Sequence, residues 1–97
     1  MSNQSLMKEE DVMLKKSMKI QLKNGLEARP VAVLVQVASQ HESSVYIESD
    51  GKKANAKSIM GMMSLGLDSG EEVTVIADGK DEEEAVANIE KFLSGQE

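Results

Sequence analysis

Cysteine is absent from this chain, and with it go disulfide bonds, thiolate metal sites and thiol nucleophiles. A single histidine, His41, excludes a centre made of several imidazoles. There is no tryptophan, and Tyr46 and Phe92 are the only aromatic residues, so a core must be assembled from Val, Ile, Leu, Met and Ala. No apolar run approaches the roughly 20 residues that span a bilayer. The polar, acidic first residues also lack the apolar stretch of a secretory signal, and the expected setting is the cytoplasm. Cationic charge is scarce: 11 Lys and Arg against 17 Asp and Glu leave a net charge of −6. Such a surface repels phosphate backbones and argues against direct binding of nucleic acid.

What remains is a chain of 97 residues, the size of one small domain. Residues 1–12 carry no clean period and read as a flexible arm, leaving 13–97 as the folded unit. Leu14, Met18, Ile20 and Leu22 alternate with polar residues as on a half-buried strand. Lys16 breaks the apolar face, which places the start of that strand near Ser17, and Asn24-Gly25 ends it. The only proline, Pro30, suits the first turn of a helix, where its missing N–H costs nothing. Val31, Leu34, Val35 and Ala38 then repeat at helical spacing as a buried stripe. Val45 and Ile47 begin a hairpin that turns through residues 49–52 and returns over residues 54–56. Ser58 is a good N-cap for a short helix over residues 59–65, stopped by Gly66. Residues 72–77 form a Val- and Thr-rich strand. Asp81, with Glu84 three residues on, opens a last helix that buries Ala85, Ile89 and Phe92 or Leu93. The order β-α-β-β-α-β-α predicts an α+β two-layer domain with the helices on one side of the sheet.

Conventional catalytic signatures are missing. No glycine-rich phosphate loop occurs, and His41 at a helix exit reads as a solvated surface residue. The acidic run at residues 81–84 is explained by charge at a helix N-terminus rather than by a metal, and no cofactor is expected. Two segments stand apart: residues 25–30, Gly-Leu-Glu-Ala-Arg-Pro, at a strand-to-helix junction, and residues 57–65, Lys-Ser-Ile-Met-Gly-Met-Met-Ser-Leu, at the opening of the short helix. At 3.6 residues per turn Ile59, Met60 and Met63 fall within about 100° of one another, and Met62 and Leu65 point elsewhere. One side can face the core; the other exposes flexible apolar side chains.

These two segments, with their spacing and the element order, resemble the HPr family, the small phosphocarriers of the sugar phosphotransferase system. The resemblance runs from about Met13 to the C-terminus and implies the HPr-like open-faced sandwich, a four-stranded antiparallel sheet with three helices on one face. In that family the first motif carries a phosphorylated histidine; here the position is Glu27. A carboxylate begins as an anion facing an anionic donor, so Glu27 is expected to serve as helix N-terminal charge paired with Arg29 rather than as a carrier. The second motif is intact. The resemblance implies that Ser58 is phosphorylated by the bifunctional HPr kinase/phosphorylase, with Lys57 adding positive charge, and that Arg29, Ile59, Met60 and Met63 meet partner proteins.

A family member that keeps the serine and lacks the histidine is similar to the catabolite-repression branch, although that branch usually has glutamine where this chain has Glu27. The implied function is not enzymatic: serine phosphorylation followed by action as corepressor of catabolite control protein A. Two rivals use the same residues. One is a true phosphocarrier with an acyl phosphate on Glu27; the other is a direct modulator of a metabolic enzyme through the Met patch. The resemblance also implies a route to a strand-swapped homodimer, hinged at Asn24-Gly25.

Overall fold

Alternation of apolar and polar residues at period two builds the sheet, and the helices cover its apolar side. A computed structural model of the chain describes residues 13–23 and 27–95. The elements are β1 Met13–Lys19, α1 Ala28–Ser39, β2 Ser44–Ser49, β3 Lys52–Asn55, α2 Ile59–Met63, β4 Glu72–Asp78 and α3 Glu82–Leu93. The four strands lie in the order β1-β4-β2-β3, every neighbouring pair antiparallel. This is the α+β open-faced sandwich expected. The arm at residues 1–12 and the Asn24-Gly25 hinge lie outside the described residues.

The inner face of the sheet supplies Val45, Ile47, Val73, Val75 and Ala77, which share one cluster with Val31, Leu34 and Ala38 of α1 and with Ala85, Ile89 and Leu93 of α3. The expected stripe of α1 is therefore buried, except that Val35 is half-buried at its margin. At the end of α3 it is Leu93 that is buried, while Phe92 lies at the edge of the core. Ile76 is buried on the opposite face, between Lys15 and Tyr46 on the flanking strands, and Lys53 places its ammonium 5.0 Å from the Tyr46 ring centroid.

Four expectations need correction here. β1 starts at Met13, not Ser17: its ladder with β4 begins at Met13 opposite Asp78, and Lys16 within it reaches across to α3 and pairs with Glu90 at 2.8 Å. Its long stem lets a charge sit on the apolar face with its head in water. β3 spans Lys52–Asn55 rather than residues 54–56, with Ala54 its buried residue. The short helix ends at Met63, and the next turns, with Gly66 at φ +59, are a separate stop. His41 is buried, 7% exposed, instead of solvated.

Candidate functional site

The Ser58 region is built by one tight turn. Asn55 accepts from the amide of Ser58 at 3.0 Å with its carbonyl and from the amide of Lys57 at 2.8 Å with its side chain, which brings the chain out of β3. Ser58 is extended (φ −118, ψ 116), and its Oγ accepts from the amide of Gly61 at 3.1 Å, an N-cap as expected. Glycine at 61 has a local reason: a Cβ there would stand 3.3 Å from Ser58 Oγ, so its absence keeps one side of the hydroxyl clear.

α2 divides its side chains sharply. Met62 is 1% exposed in the core, whereas Ile59 is 50%, Met60 81% and Met63 44% exposed. The sequence pattern had placed these three together, and the structure brings them onto the outer face next to Ser58. An apolar patch of this kind on a domain with so small a core has an energetic cost in water that a binding partner would relieve.

Glu27 and Arg29 stand at the other site, the start of α1. Glu27 is the N-cap residue by backbone geometry (φ −88, ψ −171), its carbonyl accepting from Val31 at 2.9 Å, but its side chain makes no capping bond. Both residues are exposed. Among the described residues the one Lys or Arg paired with a carboxylate is Lys16, with Glu90, so the expected Glu27–Arg29 pair is not formed. No hydrogen bond among the described residues joins Glu27 or Arg29 to Ser58; what links the two starts is the packing of α1 against α2.

Lys57 also departs from expectation. Its ammonium donates to the carbonyl of His41 at 2.8 Å, at the exit of α1, so it ties the serine turn to that helix instead of waiting free beside the hydroxyl. The His41 ring lies 2.9 Å from Asp81 through Nδ1 and 3.1 Å from the Asn88 amide through Nε2. With Asn88 donating to Nε2, it is Nδ1–H that donates to Asp81.

Asp81 accepts in addition from the amide of Glu42 at 3.2 Å, the amide of Ser43 at 3.0 Å and the Ser43 hydroxyl. The Ser43 hydroxyl above all holds the Asp81 carboxyl well below the usual carboxylate range; partial desolvation opposes this, while the His41 ring and the amides of Ser43 and Glu42 add to it. The carboxylate expected to cap α3 therefore faces the α1–β2 loop. Glu82, the first residue of α3, reaches back and accepts from the amide of Gly79 at 3.1 Å.

Serine, histidine and aspartate meet here, but the bonds converge on the carboxylate and no bond joins the ring to the hydroxyl, so the set cannot activate a nucleophile. It is a structural joint. Sequence reading missed Ser43, Asn88 and Gly61. For the first two no local signal exists, since their partners lie 38 and 47 residues away. No cluster of three potential metal-binding side chains occurs among the described residues, and no helix there is long and apolar enough to cross a membrane.

A family model described as the PTS HPr component phosphorylation site matches residues 14–95. The chain is 49% identical over 81 residues to the HPr-like protein Crh of Bacillus subtilis (strain 168), covering 84% of this chain and 95% of that relative. The solved structure of the phosphocarrier protein HPr from Bacillus anthracis str. Ames matches with a TM-score of 0.82 at 44% identity, over 84% of this chain and 96% of that one. A crystal structure of Bacillus subtilis Crh, described as a dimer with a swapped domain, matches with a TM-score of 0.71 at 46% identity, over 87% of this chain and 97% of that one.

Proposed function

The chain belongs to the HPr family, a family of phosphocarrier-like proteins rather than enzymes, and from that premise we propose that it is a Crh-like regulator of carbon catabolite repression. HPr kinase/phosphorylase places a phosphoryl group on Ser58, and the phosphoprotein binds catabolite control protein A as its corepressor. One observation carries this reading: a hydroxyl sits at the N-cap of α2 directly beside the outward-facing Ile59, Met60 and Met63.

Phosphorylation brings a charge of about −1.5 to −2 and three strong acceptor oxygens to that hydroxyl. A partner then meets charge-assisted hydrogen bonds next to desolvated apolar area, and neither half alone is enough. Arg29, exposed at the start of the neighbouring helix, adds a cationic contact. Glu27 supports a regulatory role over a carrier one. It is an exposed carboxylate at the position of the family's phosphohistidine, and it offers no imidazole for phosphoryl transfer.

Incubation with the kinase and ATP, followed by mass-spectrometric mapping, is expected to place one phosphoryl group on Ser58. Ser58→Ala is expected to take none, to lose repressor binding, and to lose about 1 kcal/mol of stability with the cap. Equal repressor affinity for the phosphoprotein and for Ser58→Ala would refute the reading.

The same reading includes a homodimer made by exchange of β1. That strand lies at the edge of the sheet and pairs with β4 alone, so it can be given to the β4 of a second copy with its ladder intact. Light scattering after size exclusion is expected to find dimer alongside monomer; monomer alone at high concentration would remove this part.

A further inference from the structure

Every sulfur atom in the chain is a thioether: seven methionines and no cysteine. Three of the seven lie within four residues of one another around α2, and their environments differ widely. Met60 is 81% exposed and Met63 44% exposed, one turn apart on the outer face, while Met62 between them is 1% exposed. Oxidation of methionine follows access to the sulfur, and it turns a flexible apolar side chain into a polar one. At Met62 it is blocked by packing. At Met60 and Met63 it is open, and it falls on the patch next to Ser58.

We propose that Met60 and Met63 form a reversible oxidation site that switches off docking of the α2 face, whatever the state of Ser58. The inference rests on the docking role proposed above for this patch. The oxidant is a two-electron oxygen donor of the peroxide class. The thioether sulfur attacks one peroxide oxygen, the O–O bond breaks, an S=O bond forms and water leaves. Sulfur is oxidised by two electrons, the peroxide is reduced by two, and no bond of the chain is cut. A reductase that supplies two thiols reverses the change, giving thioether, disulfide and water.

The energetic effect follows from what the patch is. Ile59, Met60 and Met63 gain by leaving water, and a sulfoxide oxygen placed in that contact must be desolvated without a designed partner. Stability should hardly respond, because neither thioether packs in the core, so the oxidised protein remains folded and the loss is one of binding.

The test is graded treatment of the full chain with hydrogen peroxide, peptide mapping, and measurement of repressor affinity on Ser58-phosphorylated protein. Met60 is expected to oxidise ahead of Met63, and Met62 to be spared until the protein is unfolded. Affinity should fall tenfold or more and return after methionine sulfoxide reductase. The double variant Met60→Leu/Met63→Leu keeps an apolar face and every other methionine, and its affinity, measured before and after treatment, should not change with peroxide. Oxidation of Met62 as fast as Met60, or unchanged affinity of the oxidised protein, would overturn the inference. Met60→Ala/Met63→Ala separates the two levels. If that variant binds like the parent, the docking reading itself falls; if it loses binding while the sulfoxide form keeps it, the switch alone falls.

Discussion

Ser58 and Asp81 both stand at the N-cap of a helix, and the fold uses them in opposite ways. The Ser58 hydroxyl accepts one bond, from Gly61 in its own helix, and the residues after it turn apolar side chains to water. The Asp81 carboxylate accepts none from α3 and instead gathers His41, Ser43 and the amide of Glu42 from the α1–β2 loop. A hydroxyl with one local bond can be modified with little structural consequence, because the first turn of its helix has further N–H groups for the new oxygens. A carboxylate on which four donors converge cannot be altered without stranding buried polar groups.

The comparison breaks first at α2. Met62→Ala is expected to cost about 3 kcal/mol, as a large side chain removed from a packed core, whereas Met60→Ala, two residues away, should stay within about 0.5 kcal/mol. Urea unfolding followed by circular dichroism measures both. Similar losses for the two would mean that α2 does not divide into a structural and a free side.

At the Asp81 joint the sharper probe is Gly79. A Cβ there would stand 2.6 Å from both Cα and Oγ of Ser43, a backbone contact that cannot give way. Gly79→Ala is expected to lose about 2 kcal/mol by overpacking, and to lose it through displacement of the Ser43 bonds. The same substitution in a background already carrying Ser43→Ala should therefore cost less than it does alone. Additive losses would uncouple Gly79 from the joint.

Acid gives a further test. The folded Asp81 carboxyl titrates below its ordinary value of 3.8, chiefly because Ser43 donates to it. The ionised form is therefore favoured by folding: its contribution is fully present above about pH 4 and is lost as the pH falls toward the depressed folded value. Asp81→Asn should be less stable at neutral pH and should show a flatter decline than the parent below pH 4. Parallel curves for parent and variant would mean that other carboxylates carry the acid response.

How much of this was readable in advance divides along the same line. The stripe Val31, Leu34, Ala38, the hairpin through Val45 and Ile47 and the Ser58 cap depend on neighbours within a few residues, and local periodicity carries them; it also groups Ile59, Met60 and Met63 on one face, but by itself it favours the core for that face, and it is the family resemblance that turns them outward. His41, Asp81 and Lys57 were misread because their partners come from other elements: Asp81 lies 40 residues from His41, and the Lys57 ammonium chooses a carbonyl 16 residues back. For Asp81 the pattern of a capping box was present, but it describes an option of the backbone, and a buried imidazole and a buried hydroxyl made a stronger claim on the carboxylate than the first turn of α3. Glu82, unclaimed from outside, satisfied the Gly79 amide instead.

Lys16 marks the smallest expected effect and the same rule seen from the strand side. A lysine between Leu14 and Met18 looked like the point before which pairing could not extend, yet the register continues from Lys16 opposite Val75 out to Met13 opposite Asp78. The ladder with β4 carries the strand, and the ammonium only has to find water and Glu90. With the two side chains 52% and 40% exposed, the 2.8 Å pair is a surface contact, and such pairs contribute about 0.5 kcal/mol or less. Lys16→Met, which keeps the stem and drops the charge, is therefore expected to change stability by less than about 0.5 kcal/mol, and hydrogen exchange of the residue 13–19 amides should remain slow. A loss above about 1.5 kcal/mol, with fast exchange confined to residues 13–16, would make the ion pair the cause of the early strand start, and the sequence reading of Ser17 as the intrinsic beginning would be right for the chain without Glu90.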